Sequence, residues 1–244
     1  MKKTNLNIRG HLLELRKRLT YCALSILICT IAAFIFHQQI LEIMMGPAEK
    51  FSGIPNTKPI YTELTEFIGI ATKASLLVGL FLSLPFVLFQ IVLFVSPGLT
   101  KKERRYLYAI VPIGTIAFIL GASFGYFVLL PPVVKFLTTF GSDIAEPLIR
   151  IGNYVNLMLT LLFWMGVVFE MPLVFTLLAK IGILNPQILS KNRRYAVVIA
   201  FVLGAIITPT FDPINQTIVA LPIIVLYEIS IWMSKLAYSK KSAN

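Results

Sequence analysis

Four stretches of this chain are apolar for long enough to cross a bilayer, and they limit its fold more than any other feature. They are Leu19–Phe36, Ala74–Val95, Leu107–Leu130 and Tyr154–Leu178. A hydrocarbon core of ~30 Å takes about 20 apolar residues in a helix to span. Two shorter runs follow, 195–207 and 217–233, at ~20 and ~26 Å of helix. Between them lies TPTFDPINQ, whose two prolines and Asp212 rule out one continuous helix. The expected fold is therefore an all-α integral membrane protein with six transmembrane helices, the last two short. With 57% hydrophobic and only 14% charged residues, a soluble globular domain is excluded.

Lysine and arginine set the expected orientation. Seventeen fall on one side of the membrane under this six-span reading: in residues 1–18, in the 96–106 loop, in 179–194 and in the tail from Ser234. The other side carries five, Lys50, Lys58, Lys73, Lys135 and Arg150. Basic loops stay inside, so both termini are expected in the cytoplasm or the stroma of a plastid. The net charge of +11 is thereby a topology signal, and a nucleic-acid surface is excluded. The whole chain, 1–244, reads as a single transmembrane domain, with a cytoplasmic N-terminal helix at 1–18 and a cytoplasmic tail at 234–244. A cleavable leader is not expected, because no small-residue cleavage site follows the first apolar run. Prolines at 85, 112, 172 and 222 should bend several helices. No internal repeat is visible.

The chemistry-bearing residues are few. HLLELRKRL places His11, Glu14 and Arg18 on one helical face, with Leu12, Leu15 and Leu19 on another. On spacing alone Glu14 reads first as an i, i+4 partner for Arg18; the alternative is an acidic contact for a basic ligand. In FVSPGLTKKERR, Pro97 and Gly98 make a turn and Glu103 sits among four basic residues. Glu14 and Glu103 are the acids of the basic loops, which leaves a cationic peptide few other partners. Glu170, in GVVFEMP, lies inside an otherwise uncharged span, where an ionised group costs ~2.5–3.5 kcal/mol on insertion scales. Its readings are a hydrogen-bonded structural acid, a proton relay, or a polar notch opened by Pro172 on a face that meets another helix. Glu228 reads as structural. Asp212 is placed to cap the last span, and Gly121 and Gly125 permit close helix approach. Cys22 and Cys29 read as packing residues. No metal set, nucleophile triad or nucleotide loop can be assembled, so no enzyme, cofactor or metal is expected.

Together these motifs, in order along essentially the whole chain, with KNRRY before the fifth span, resemble TatC, the multispanning receptor family of the twin-arginine protein translocase. The resemblance implies binding of twin-arginine signal peptides, and export of folded proteins driven by the proton-motive force. Its partners would be the single-span proteins TatA and TatB, membrane lipid, and further copies of the chain in a receptor complex. On that pattern Glu14, Arg16, Phe94, Pro97, Leu99 and Glu103 bind the signal peptide. Pro47, Glu170, Asp212 and Gln216 are the matching outer-loop and intramembrane positions for partner contact. The membrane would be a bacterial inner membrane or a thylakoid. From the residues alone, a proton-coupled small-solute transporter and a membrane assembly scaffold stay open as alternatives.

Overall fold

The computed structural model describes residues 8–51, 60–61, 63–96, 101–140, 149–208 and 212–242, of which 8–9, 47–51, 101–106 and 239–242 are described by their backbone alone. The described residues are almost wholly helical. In chain order the helices are α1 (Ile8–Ile35), α2 (His37–Phe51), α3 (Glu66–Val95), α4 (Lys101–Phe124), a π-helical turn (Gly125–Leu129), α5 (Leu130–Thr139), α6 (Ile151–Phe169), α7 (Met171–Ile181), α8 (Pro186–Lys191), α9 (Arg193–Ile207) and α10 (Pro213–Ser242). Five stretches are long and apolar enough to cross a membrane: Gly10–Ile35, Glu66–Val95, Leu107–Thr139, Ile151–Ile181 and Pro213–Tyr238. The chain is thus an integral membrane protein of helices. α9, at 15 residues, is shorter than these.

Several boundaries differ from expectation, each for a local reason. The third apolar segment does not end before Pro131. The π turn carries the chain past it, with the Leu130 N–H reaching Gly125 O. Pro131 and Pro132 then fall in the first turn of α5. The last helix is long, 30 residues, and corrects the expectation that both final helices are short. Asp212 caps it and Pro213 opens it, four residues before the expected start. At the other end SKLAYSKKS holds no glycine or proline to stop it, so the expected tail is helical through Ser242. The outer segment after the first span was expected as a loop, yet it holds α2, whose Leu41 and Met44 are buried. Pro85, Pro112 and Pro222 lie inside continuous helices. Only at Glu170, two residues before Pro172, is a helix interrupted.

The chain divides into two compact units, 1–36 with 75–115 and 37–74 with 116–244. Within the first, α1 and α3 touch at Gly79, where a Cβ would lie 2.6 Å from the Thr30 backbone. Within the second, α6 is the central element: Val155, Met158, Leu161 and Met165 are fully covered, together with Leu130, Val133, Val219 and Ile231. α10 packs along α7 and α9, and α2 against α5 and α6. Lipid tails are as apolar as leucine, so these contacts rest on van der Waals fit and not on expulsion of water. Gly121 shows how tight the fit is. A Cβ there would stand 2.5 Å from Met165 O and 2.8 Å from the Phe169 side chain. Gly121→Val should therefore destabilise the detergent-solubilised protein by ~1–3 kcal/mol, read as a lowered melting temperature. Gly69→Ala, at a glycine with nothing within 4 Å, should leave it unchanged. Equal melting temperatures for the two variants would contradict this packing.

Candidate functional site

At the N-terminal end of α1 the face predicted from spacing meets the C-terminal half of α3. The His11 ring stacks on Phe94 with centroids 4.4 Å apart and planes inclined by 24°. Two turns on, Arg18 places Nε 3.0 Å and Nη2 2.5 Å from a single oxygen of Glu14, Oε1. Its third nitrogen, Nη1, donates to Gln90 Oε1 at 3.2 Å. The helices therefore zip antiparallel, His11 to Phe94 and Arg18 to Gln90. Gln90 is 7% exposed and was missed in the sequence; an amide inside an apolar run was the available signal. The Glu14 and Arg18 side chains keep 34% and 21% exposure, so the pair is open to water and to a ligand. Arg16 is exposed and, two residues from Glu14, does not share its face. Pro97 and Leu99 lie outside the described residues; Glu103 falls in the first turn of α4, its side chain also outside them.

Glu170 occupies the break between α6 and α7. Its N–H donates to Val167 O at 3.1 Å and its carbonyl accepts from Val174 N at 2.9 Å, so the chain stays nearly helical through the break. Pro172 has no N–H to offer Val168 O, four residues back. The Glu170 side-chain atom Oε1 is buried and has no hydrogen-bond partner. The structural reading, a carboxyl bonded to a neighbouring helix, is thus not what this oxygen does. The preceding residue, Phe169, is tilted on Phe124 at 5.6 Å and packs against Gly121 of α4.

The other predicted polar residues make internal bonds. Asp212 caps α10: Oδ1 accepts the Asn215 N–H at 2.7 Å and Oδ2 accepts the Asn215 amide at 3.0 Å. Gln216 donates through Nε2 to Phe201 O at 2.8 Å and ties α10 to α9 where Gly204 allows backbone approach. Glu228 pairs with Arg193 at 2.8 Å, which makes it a further acid at the basic start of α9. Tyr227 donates to Leu189 O at 3.0 Å close by.

On the second unit, Pro47 acquires a physical role from its backbone alone. A proline at 47 leaves the Ile43 carbonyl without its helical donor, and the Tyr126 hydroxyl donates to that carbonyl at 2.7 Å. Tyr154 donates to the next one, Met44 O, at 3.1 Å. Nearby, Ile60 bridges the 149–151 strand-like turn through hydrogen bonds of 3.0 and 2.9 Å. Arg150 has no side-chain oxygen to cap α6, and Glu66 does so from α3: Oε1 accepts the Gly152 N–H at 3.0 Å while Oε2 lies 3.5 Å from Arg150. None of these pairings has a local sequence signal, since they join residues more than 80 apart. An apolar cavity of about 680 Å³ lies between the π turn with α5 and the first turns of α10, lined by Phe124, Val128, Pro132, Ile214 and Leu221 among others. Among the described residues, no cluster of ligating side chains could hold a metal.

Helices long and apolar enough to cross a membrane, with a buried and unpaired carboxylate oxygen among them, define an integral membrane protein of the polytopic helical class. The chain belongs to the TatC family, described as Sec-independent protein translocase protein, whose model it matches over residues 10–222. It is 34% identical over 241 residues to the Sec-independent protein translocase protein TatC of Carboxydothermus hydrogenoformans, covering 99% of this chain and 98% of that protein. With the namesake of Aquifex aeolicus it shares 39% over 233 residues, 95% of each chain. Among solved structures, a crystal structure of the twin-arginine translocase receptor TatC superposes with a TM-score of 0.83 at 39% identity, covering 93% of this chain and 99% of that one. The family is one of transport proteins.

The orphaned oxygen carries a prediction. An unpaired buried polar group costs ~1–3 kcal/mol, so Glu170→Met should leave the melting temperature of the isolated protein unchanged or raise it. A fall of several degrees would show that Glu170 is held by a bond within the chain.

Proposed function

We propose that this chain is the receptor subunit of a twin-arginine translocase, and that Glu14 and Glu103 take the paired arginines of a signal peptide. The observation that carries this reading is the state of Glu14: it already binds a guanidinium, with two nitrogens on one oxygen and its carboxylate open to solvent. A carboxylate that accepts one guanidinium in that geometry can accept another. Lysine, with a single ammonium, cannot supply the fork of charge-assisted bonds, which gives a physical reason for a demand for arginine. Phe94, with His11 stacked on it, offers an aromatic surface beside the acid for the signal's apolar residues. Arg16, Pro97 and Leu99 belong to the same recognition surface by family pattern.

The topology proposed is six spans with both termini cytoplasmic or stromal, α9 being the short fifth crossing, on the strength of the seventeen-to-five division of basic residues. The whole chain acts as one domain in a bacterial inner membrane or a thylakoid. Single-span partners of the TatA and TatB kind dock against the second unit, where Glu170 offers an unmatched carboxyl and the groove beside α10 an apolar seat. With them, and with other copies of the chain, folded cargo crosses at the expense of the proton-motive force. Asp212, Gln216 and Pro47 contribute to that surface by holding α9, α10 and α2 in place.

Crosslinking tests the assignment. A photoreactive twin-arginine peptide should label the wild-type chain in membranes, and Glu103→Lys should abolish the labelling while the protein remains in the membrane at normal level. Undiminished labelling would overturn the role given to Glu103.

A further inference from the structure

Arg18 makes three hydrogen bonds, one through each of its nitrogens. It holds Glu14 through two nitrogens and is itself held by the nearly buried Gln90 through the third. A guanidinium fixed on the very carboxylate that a signal arginine needs is chemically the same object as that ligand. We propose that Arg18 is an internal placeholder, a built-in arginine that occupies Glu14 while no signal is bound and must be displaced when one arrives. The inference rests on the reading that Glu14 is a signal contact.

The alternative role for Arg18 is positioning, in which it holds the carboxylate ready and the ligand adds to the free oxygen. The two differ in sign. A competitor within the chain weakens every ligand of Glu14 by the same factor, so its removal tightens binding. Removal of a positioning residue loosens it. The pair is partly exposed, and exposed ion pairs of this kind correspond to roughly a two- to fivefold change in an equilibrium. The placeholder therefore lowers affinity without closing the site. It also keeps the acid from capturing the chain's own basic segments or stray cations, since any occupant has to match a fork already in place.

Geometry further separates the placeholder from plain charge repulsion. Loss of a cation near the site would favour a cationic peptide wherever the peptide sat, whereas displacement acts only through Glu14. A double-mutant cycle distinguishes them, because contacting residues couple and independent ones add. The experiment uses the full chain in lipid nanodiscs at fixed ionic strength, with a fluorescent synthetic peptide bearing two arginines before an apolar segment as the probe. Arg18→Gln should tighten peptide binding two- to fivefold, and the same change in a Glu14→Gln background should have no effect. Weaker binding by Arg18→Gln, no change, or an equal tightening in both backgrounds would each overturn the placeholder. Glu14→Gln alone should weaken binding. If it does not, the assignment of Glu14 to the signal fails, and that failure is visible separately from the behaviour of Arg18. Should Arg18→Gln not fold, Arg18→Lys serves in the same cycle with a smaller tightening expected, since an ammonium holds Glu14 by one point contact only.

Discussion

Hydrocarbon supplies no hydrogen-bond partner to a peptide group, and the structure follows from that single constraint. Every spanning segment must satisfy its own backbone, which makes it a helix. Once the helices exist, lipid gives them little reason to associate, so they depend on steric fit. Gly79 against Thr30 and Gly121 against Met165 are the places where backbones come close enough to supply it. The same constraint makes each polar side chain inside the apolar region conspicuous. Most are accounted for by a bond to a neighbouring backbone: Gln216 to Phe201, Tyr154 to Met44, Tyr126 to Ile43. Glu170 Oε1 has none, like the Thr30 and Ser75 hydroxyls, but among the buried atoms so placed it is the carboxylate oxygen.

Prolines show how such bonds are arranged. Pro47 and Pro172 each delete a backbone donor, and the carbonyl four residues earlier is released. At Pro47 a tyrosine hydroxyl from elsewhere in the unit takes up the released group and docks α2 onto the spans. At Pro172 the interruption coincides with the orphaned acid. One residue type thus serves once at an attachment point and once beside a helix break.

Much of this was legible in the sequence, though unevenly. Length and hydropathy placed the long spans, and i, i+4 spacing placed Glu14 beside Arg18. Asp212 followed by proline and two polar residues was readable as a helix cap. These are local properties, set within one or two turns. What was missed depends on distance along the chain. α2 was hidden because it is only half apolar, and its helicity is fixed by burial of Leu41 and Met44 against remote helices. The extension of the third span through Pro131 needed the π turn. Gln90 as the anchor of Arg18, and Glu66 as the cap of α6, join residues 72 and 86 apart. The family resemblance supplied roles for Glu14, Glu103 and Glu170 that spacing alone left open; the structure added that Glu14 is already engaged and that Glu170 Oε1 is not.

In the proposed function, Glu14 on α1 and Glu103 in the first turn of α4 take arginine by its fork of donors. The most direct measurement is equilibrium binding of the purified full chain in nanodiscs to a twin-arginine signal peptide and to its twin-lysine counterpart. Hydrogen bonds to charged groups are worth ~1.5–3 kcal/mol each, so the arginine peptide should bind at least about tenfold more tightly. Equal affinity for the two peptides would show that the surface senses charge alone, and would contradict the central claim.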